Sequence, residues 1–152
     1  MNTQQPQSPS EHTDIVMRLS GSGGKEFLQG QTTADFNDCG PGDLRYAAFC
    51  NPKGRVLADV LAVVIDEQEI LLRGRTTVMA ALAEHLKPYL GFSQCSLTPT
   101  DWRIGCRGGS TNEHYAGLRF AESSLVAVTV PIGPEHTECW TAPPESQNED
   151  HS

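Results

Sequence analysis

Between Val56 and Ile65 the chain reads Val-Leu-Ala-Asp-Val-Leu-Ala-Val-Val-Ile, with Asp59 as its only ionisable side chain. The side chains of a strand alternate between two faces, so an apolar run on both parities describes a strand covered on each side, the centre of a fold. Leu44 to Cys50 reads as its partner, paired across Asn51-Pro52-Lys53-Gly54-Arg55, a turn with two cations at its tip. The same period of two puts Asp59 on a face with Leu57, Leu61, Val63 and Ile65, and a carboxylate on an oily face needs a reason.

Other elements follow from punctuation and period. Ile15 to Leu19 alternates as a half-buried strand does, and Ser20 to Gly24 ends it. A short helix is expected from Lys25 to Gln29 with a left-handed stop at Gly30, then a turn over residues 39–43. Asp66 to Glu69 turns into a strand from Ile70 to Arg73. Thr77 is the expected cap of an amphipathic helix carrying Val78, Met79, Leu82, Leu86 and Tyr89 up to a stop near Pro88. Strands are expected at Ser93 to Leu97, Trp102 to Cys106, Ser124 to Val130 and Glu138 to Trp140, with a helix-like stretch from Asn112 to Leu118. Strand pairs interleaved with helices give an α+β class, helices packed on a largely antiparallel sheet. Domain organisation reads as tails over residues 1–12 and 142–152 flanking one domain over 13–141, since neither end carries the apolar periodicity that repays ordering.

Bulk properties exclude several functions. At 152 residues and 38% hydrophobic content, one ordinary core is available. No apolar run is long enough to cross a bilayer and no leader-like segment follows Met1, so the reading is cytoplasmic. Five cysteines without a C-x-x-C pair argue against a disulfide framework and against a metal site, and the histidines lack a second ligand at metal spacing. A formal charge of −8 opposes nonspecific nucleic-acid binding, yet a local basic patch on an acidic protein still suits a small polyanion.

Candidate site residues each carry two readings. Lys53 and Arg55 are solvated turn charges, or an anion clamp in which Arg offers a planar fork, Lys a point charge and Gly54 close backbone approach; the same residues suit a protein partner. Gln29, Gln31, Thr32 and Asp35 form a helix end with an Asp-stabilised turn, or a set of donors and acceptors for a flat heterocycle. Asp59 is either a hydrogen-bonded structural acid or a functional one. Trp102 and Tyr46 are assigned to strand packing, and His85 to the end of its helix. Ser20 to Gly24 lacks the Gly-Lys-Ser/Thr ending of a phosphate-gripping loop.

Phe27-Leu28-Gln29-Gly30-Gln31-Thr32-Thr33-Ala34-Asp35-Phe36, taken with Leu19-Ser20-Gly21, Ala47-Ala48-Phe49-Cys50 and the Asn51 to Arg55 turn, resembles the N-terminal part of the YgfZ-type folate-binding proteins. That family is related to the aminomethyltransferase, or T-protein, of the glycine cleavage system. The resemblance runs from about Ile15 to Trp140 and is strongest from Leu19 to Ile65. It implies tetrahydrofolate as ligand, with Gln31, Asp35, Lys53, Gly54, Arg55 and Asp59 as binding residues, and Asp59 at the position that relatives assign to transfer chemistry. It further implies an accessory role in iron–sulfur cluster assembly or repair, with iron–sulfur proteins as partners. Family members continue into a second half bearing a Lys-Gly-Cys-aromatic-x-Gly-Gln-Glu signature, a context that surrounds none of the five cysteines here. A homodimer or a separately encoded second half would then complete the folate pocket. Two other readings remain open: an aminomethyltransferase-like one-carbon transferase, and a scaffold that has lost its ligand.

Overall fold

The structure, a computed structural model, describes residues 13–108, 115–133 and 135–144. Nine strands and two helices are present among them: β1 (Asp14–Ser20), α1 (Gly24–Gln31), β2 (Leu44–Cys50), β3 (Val56–Asp66), β4 (Glu69–Arg75), α2 (Thr76–Leu90), β5 (Ser96–Pro99), β6 (Arg103–Gly108), β7 (Gly117–Ala121), β8 (Ser124–Gly133) and β9 (His136–Thr141). They form a five-stranded sheet, β2-β3-β4-β1-β5, and a four-stranded sheet, β6-β9-β8-β7. Every strand pairing is antiparallel. The α+β reading therefore holds, with a second sheet added to it.

β3 explains the layering. Its even-numbered residues Ala58, Val60, Ala62 and Val64 pack with Phe27, Phe49, Met79, Leu82 and Leu86, the core shared with the helices. Its odd residues Leu61, Val63 and Ile65 pack with Val128, Val130 and Trp140 of the second sheet. An apolar run on both parities is satisfied by helices on one side and strands on the other. Each buried Val, Leu, Ile, Phe or Met side chain among them contributes about 1.5–3 kcal/mol of transfer free energy, which is why the run dictates the architecture.

Several boundaries differ from the expectations. Helix α1 continues through Gly30 and ends at Thr32, whose extended backbone N–H and hydroxyl both bond the Leu28 carbonyl at 3.0 and 2.8 Å, so a side-chain and backbone clasp replaces the glycine stop. Helix α2 starts at Thr76 after Arg75, and Thr77 lies in its first turn rather than capping it. Pro88 sits inside the last turn, where buried Leu86 and Leu90 hold the helix despite one forgone hydrogen bond. The later helix end and its turn displace the next strand from Ser93–Leu97 to Ser96–Pro99. Gly117 and Leu118, expected to end a helix, open strand β7 instead, paired with Thr129 and Val128. Before them Tyr115 forms an antiparallel bridge with Asp43 and the Ala116 N–H donates to the Gly42 carbonyl at 2.8 Å. Asn112 to His114 lie outside the described residues, as do the tail over residues 1–12 and the segment beyond residue 144.

The glycine run before α1 has a packing reason. A Cβ on Gly23 would stand 1.9 Å from the Ser93 carbonyl oxygen, so the chain crosses the turn after α2 too closely for any side chain.

Candidate functional site

The second sheet does not cover its face of the first sheet completely. Where the cover stops, a cavity of about 480 Å³ opens against β2, β3, β4 and the start of α2. Leu57, Leu61, Val78 and Ile132 give it an apolar lining, and Tyr46, Asp59, Arg73, Arg75 and Glu138 its polar groups. Volume and composition match a small-molecule site, which is mostly apolar with a few placed polar groups.

Register sets these side chains. Tyr46 faces Leu61 and Ala48 faces Asp59 across β2 and β3, while Arg73 faces Leu61 from β4. Ala48 is too small to cover Asp59, which stays exposed on an otherwise apolar face. Position answers the question the sequence raised: Asp59 lies on the part of β3 that has left the second sheet behind. Tyr46, expected to pack within the strands, is 64% exposed and lines the cavity.

Arg73 and Glu138 close the cavity's inner wall. The guanidinium Nε donates to Glu138 Oε1 at 2.8 Å and Nη2 to Oε2 at 2.5 Å, a two-pronged pair that reaches from one sheet to the other. Trp140 Nε1 donates to the same Oε1 at 2.9 Å, and Asp14 adds a contact to Arg73 at 3.4 Å. Glu138 is 6% exposed, so its charge is tolerated only because every prong is met. Sequence reasoning missed this pair. The signal was there in Glu138 and Trp140, a carboxylate and an indole two residues apart and hence on one face of one strand.

Of the six expected binding residues, Gln31, Asp35, Lys53, Gly54, Arg55 and Asp59, only Asp59 lines this cavity. Gln31 and Asp35 lie on the helix-covered side. Asp35 Oδ1 accepts from the Asn37 N–H at 3.0 Å, an Asp-stabilised turn, and its carbonyl accepts from Arg45 Nε at 3.0 Å. Gln29 Oε1 accepts from the Phe36 N–H at 2.6 Å. Lys53, Gly54 and Arg55 sit exposed at the hairpin tip. Asn51 Oδ1 accepts from the N–H groups of Lys53 and Arg55 at 2.9 and 3.0 Å, and Gly54 takes φ +84°, a conformation that its missing Cβ permits. Four residues of extended chain separate Arg55 from Asp59, about 13 Å. Among the described residues neither Lys53, Arg55 nor Arg75 has an ion-pair partner, and no cluster of potential metal ligands occurs. No helix among the described residues is long and apolar enough to cross a membrane.

A helix-backed antiparallel sheet with a second sheet and a ligand-sized cavity at its uncovered end defines the class. Residues 15–106 match the GCVT N-terminal domain, and the chain belongs to that family, among YgfZ-like proteins related to the glycine cleavage T-proteins. It is 36% identical over 69 residues to an aminomethyltransferase of Mycobacterium avium, covering 45% of this chain and 19% of that protein. With the tRNA-modifying protein YgfZ of Blochmanniella pennsylvanica it shares 28% identity over 104 residues, covering 66% of this chain and 31% of the relative. The crystal structure of glycine cleavage system aminomethyltransferase T from Bartonella henselae superposes with a TM-score of 0.71 at 13% identity, over 87% of this chain and 41% of that one. That last likeness is one of fold. The chain thus spans about a fifth to a third of the length of these curated relatives.

Proposed function

We propose that this protein is a tetrahydrofolate-binding module of YgfZ type, acting in the cytoplasm in support of iron–sulfur cluster assembly or repair in other proteins. The observation that carries the reading is Asp59: an exposed carboxylate on an apolar face, beside the open ring of Tyr46, in a cavity of about 480 Å³. A reduced pterin is flat and rich in N–H donors, so a carboxylate and an aromatic wall suit it, and the apolar lining suits the aryl linker. Arg55, about 13 Å along the hairpin from Asp59, and Lys53 at the turn beyond it are the cations that would meet the glutamyl carboxylates of such a ligand. The cavity is open on one side, which a second copy of the chain or a separate second-half protein would close. One relative's name points to tRNA modification; with a formal charge of −8, this chain serves such a process without gripping RNA itself.

A second reading, one-carbon transfer of the aminomethyltransferase kind, is favoured by the accessibility of Asp59, which would take a proton from the reacting amine. Loss of turnover in Asp59→Asn with reconstituted pathway partners would support it, and undiminished turnover would remove Asp59 from the chemistry.

Anaerobic calorimetric titration with tetrahydrofolate tests the main reading. Saturable binding is expected, weakened about tenfold or more by Asp59→Asn, the scale of one charge-assisted hydrogen bond, and also by Tyr46→Ala. Because Asp59 is exposed, Asp59→Asn should leave folding stability within about 0.5 kcal/mol of the parent. No heat up to millimolar ligand, either for the chain alone or with an added second half, would overturn the folate assignment in favour of a scaffold.

A further inference from the structure

The thiols of this chain are not equivalent. Cys39 is buried, and burial raises its pKa, as it does that of Cys95. Cys50 Sγ approaches the Ala48 carbonyl at 3.9 Å, and Cys139 Sγ the Thr141 hydroxyl at 3.9 Å. Cys106 is the exposed one, and its Sγ lies 3.8 Å from Nε2 of His136 on the neighbouring strand.

Register makes this pair accessible. Cys106 faces Glu138 across β6 and β9, on the parity that carries Ile104 and Trp140. His136 faces Gly108 on one side and Gly133 on the other. Neither neighbour has a side chain, so the imidazole is uncovered on both flanks and the thiol reaches it diagonally. Sheet position, exposure and contact distance converge on one sulfur with an imidazole nitrogen beside it. Ionisable groups on the same and neighbouring elements are Glu138, engaged by Arg73 of β4, which also meets Asp14 of β1, and Arg107 and Glu135, which adjoin Cys106 and His136 in sequence.

We infer that Cys106 is a site of S-thiolation, in which His136 assists exchange with low-molecular-weight disulfides. The Cys106 S–H proton passes to His136 Nε2 as the sulfur attacks one sulfur of the disulfide. The reagent's S–S bond breaks, a Cys106–S–S bond forms, and the other half leaves as a thiolate that is protonated on release. Cys106 is oxidised and the small disulfide is reduced, so nothing further is required. This inference is independent of what the cavity binds.

Incubation of the full chain with glutathione disulfide, followed by peptide mass mapping over time, tests it. Cys106 is expected to be modified about tenfold faster than Cys50 or Cys139. His136→Asn should slow that reaction about fivefold or more at pH 7, with the two rates converging near pH 9.5, where a thiol ionises unaided. A merely structural role for His136 would not produce that convergence. Equal reactivity at Cys50 or Cys139, or an unchanged rate in His136→Asn at every pH, would overturn the assignment.

Discussion

The two faces of the five-stranded sheet are covered in different ways. On one, α1 and α2 lie over Phe49, Val60, Ala62 and Leu72 and leave them at most 4% exposed. On the other, a smaller sheet covers Val63, Leu71 and Val16, then stops, and the face continues as Tyr46, Asp59 and Arg75. The first face is closed by shape alone. The second is held at its boundary by a charged clasp, Arg73 to Glu138, and beyond that boundary the strand carries polar groups. The contrast places stability under the helices and chemistry where the second sheet ends.

The largest expected effect breaks the closed face. Phe49, at 1% exposure, packs between β2 and the helices, and Phe49→Ala removes its burial and leaves a void that β3 and α2 cannot fill. A loss of about 3–5 kcal/mol in urea unfolding is expected. A loss under about 1 kcal/mol would mean that the helix layer is not the principal core.

The boundary should be next. Glu138→Ala leaves Arg73, whose side chain is only 22% exposed, with the longer 3.4 Å contact to Asp14 as its remaining ion pair. Breaking a buried pair costs about 3–5 kcal/mol, which partial exposure of Arg73 reduces to about 2–3. Glu138→Gln, which still accepts from Arg73 and Trp140, should cost about half as much. If both substitutions were silent, the clasp would not be what seats the second sheet.

Much of this contrast was legible in the chain, unevenly. The apolar run from Val56 to Ile65 required two covers, and the Asn51 to Arg55 turn fixed the hairpin because Gly54 and Asn51 meet a local need there. Legibility fell where distant elements decide. Thr77 looked like a cap, but α2 starts directly off β4 at Arg75, so chain connection set its beginning. β7 was missed because Gly117 and the segment before it carry no clear period, and its pairing with β8 supplies the order. Asp59 was legible as an anomaly on its strand, and the family resemblance made it an expected binding residue, but the position of its cavity depends on where the second sheet ends. Tyr46 was misread for the same reason: strand periodicity gives a face but not what covers it. The Arg73–Glu138 pair joins residues 65 positions apart, beyond any local signal.

The smallest expected effect sharpens the comparison through its thiols. Cys39 and Cys95 both belong to the helix-side packing, and burial raises the pKa of each above the ordinary thiol value of 9.0. For Cys39 the nearby Arg45 and Lys25 pull the other way without cancelling that effect, while Asp43 and Asp35 add to it. In the unfolded chain both thiols ionise at their ordinary pKa, whereas the folded chain keeps them protonated to higher pH. Above about pH 9 the native state therefore holds more protons than the unfolded state, and stability must fall as pH rises. Below that point both states are protonated and these groups contribute no pH dependence. Lysines and tyrosines titrate in the same range, so the test is differential: a Cys39→Ala, Cys95→Ala variant should show a shallower loss of stability between pH 8.5 and 10.5 than its parent, measured by urea unfolding under reducing conditions. Parallel slopes in the two proteins would show that the helix layer does not keep water from its thiols, and the distinction between the two faces would then rest on apolar packing alone.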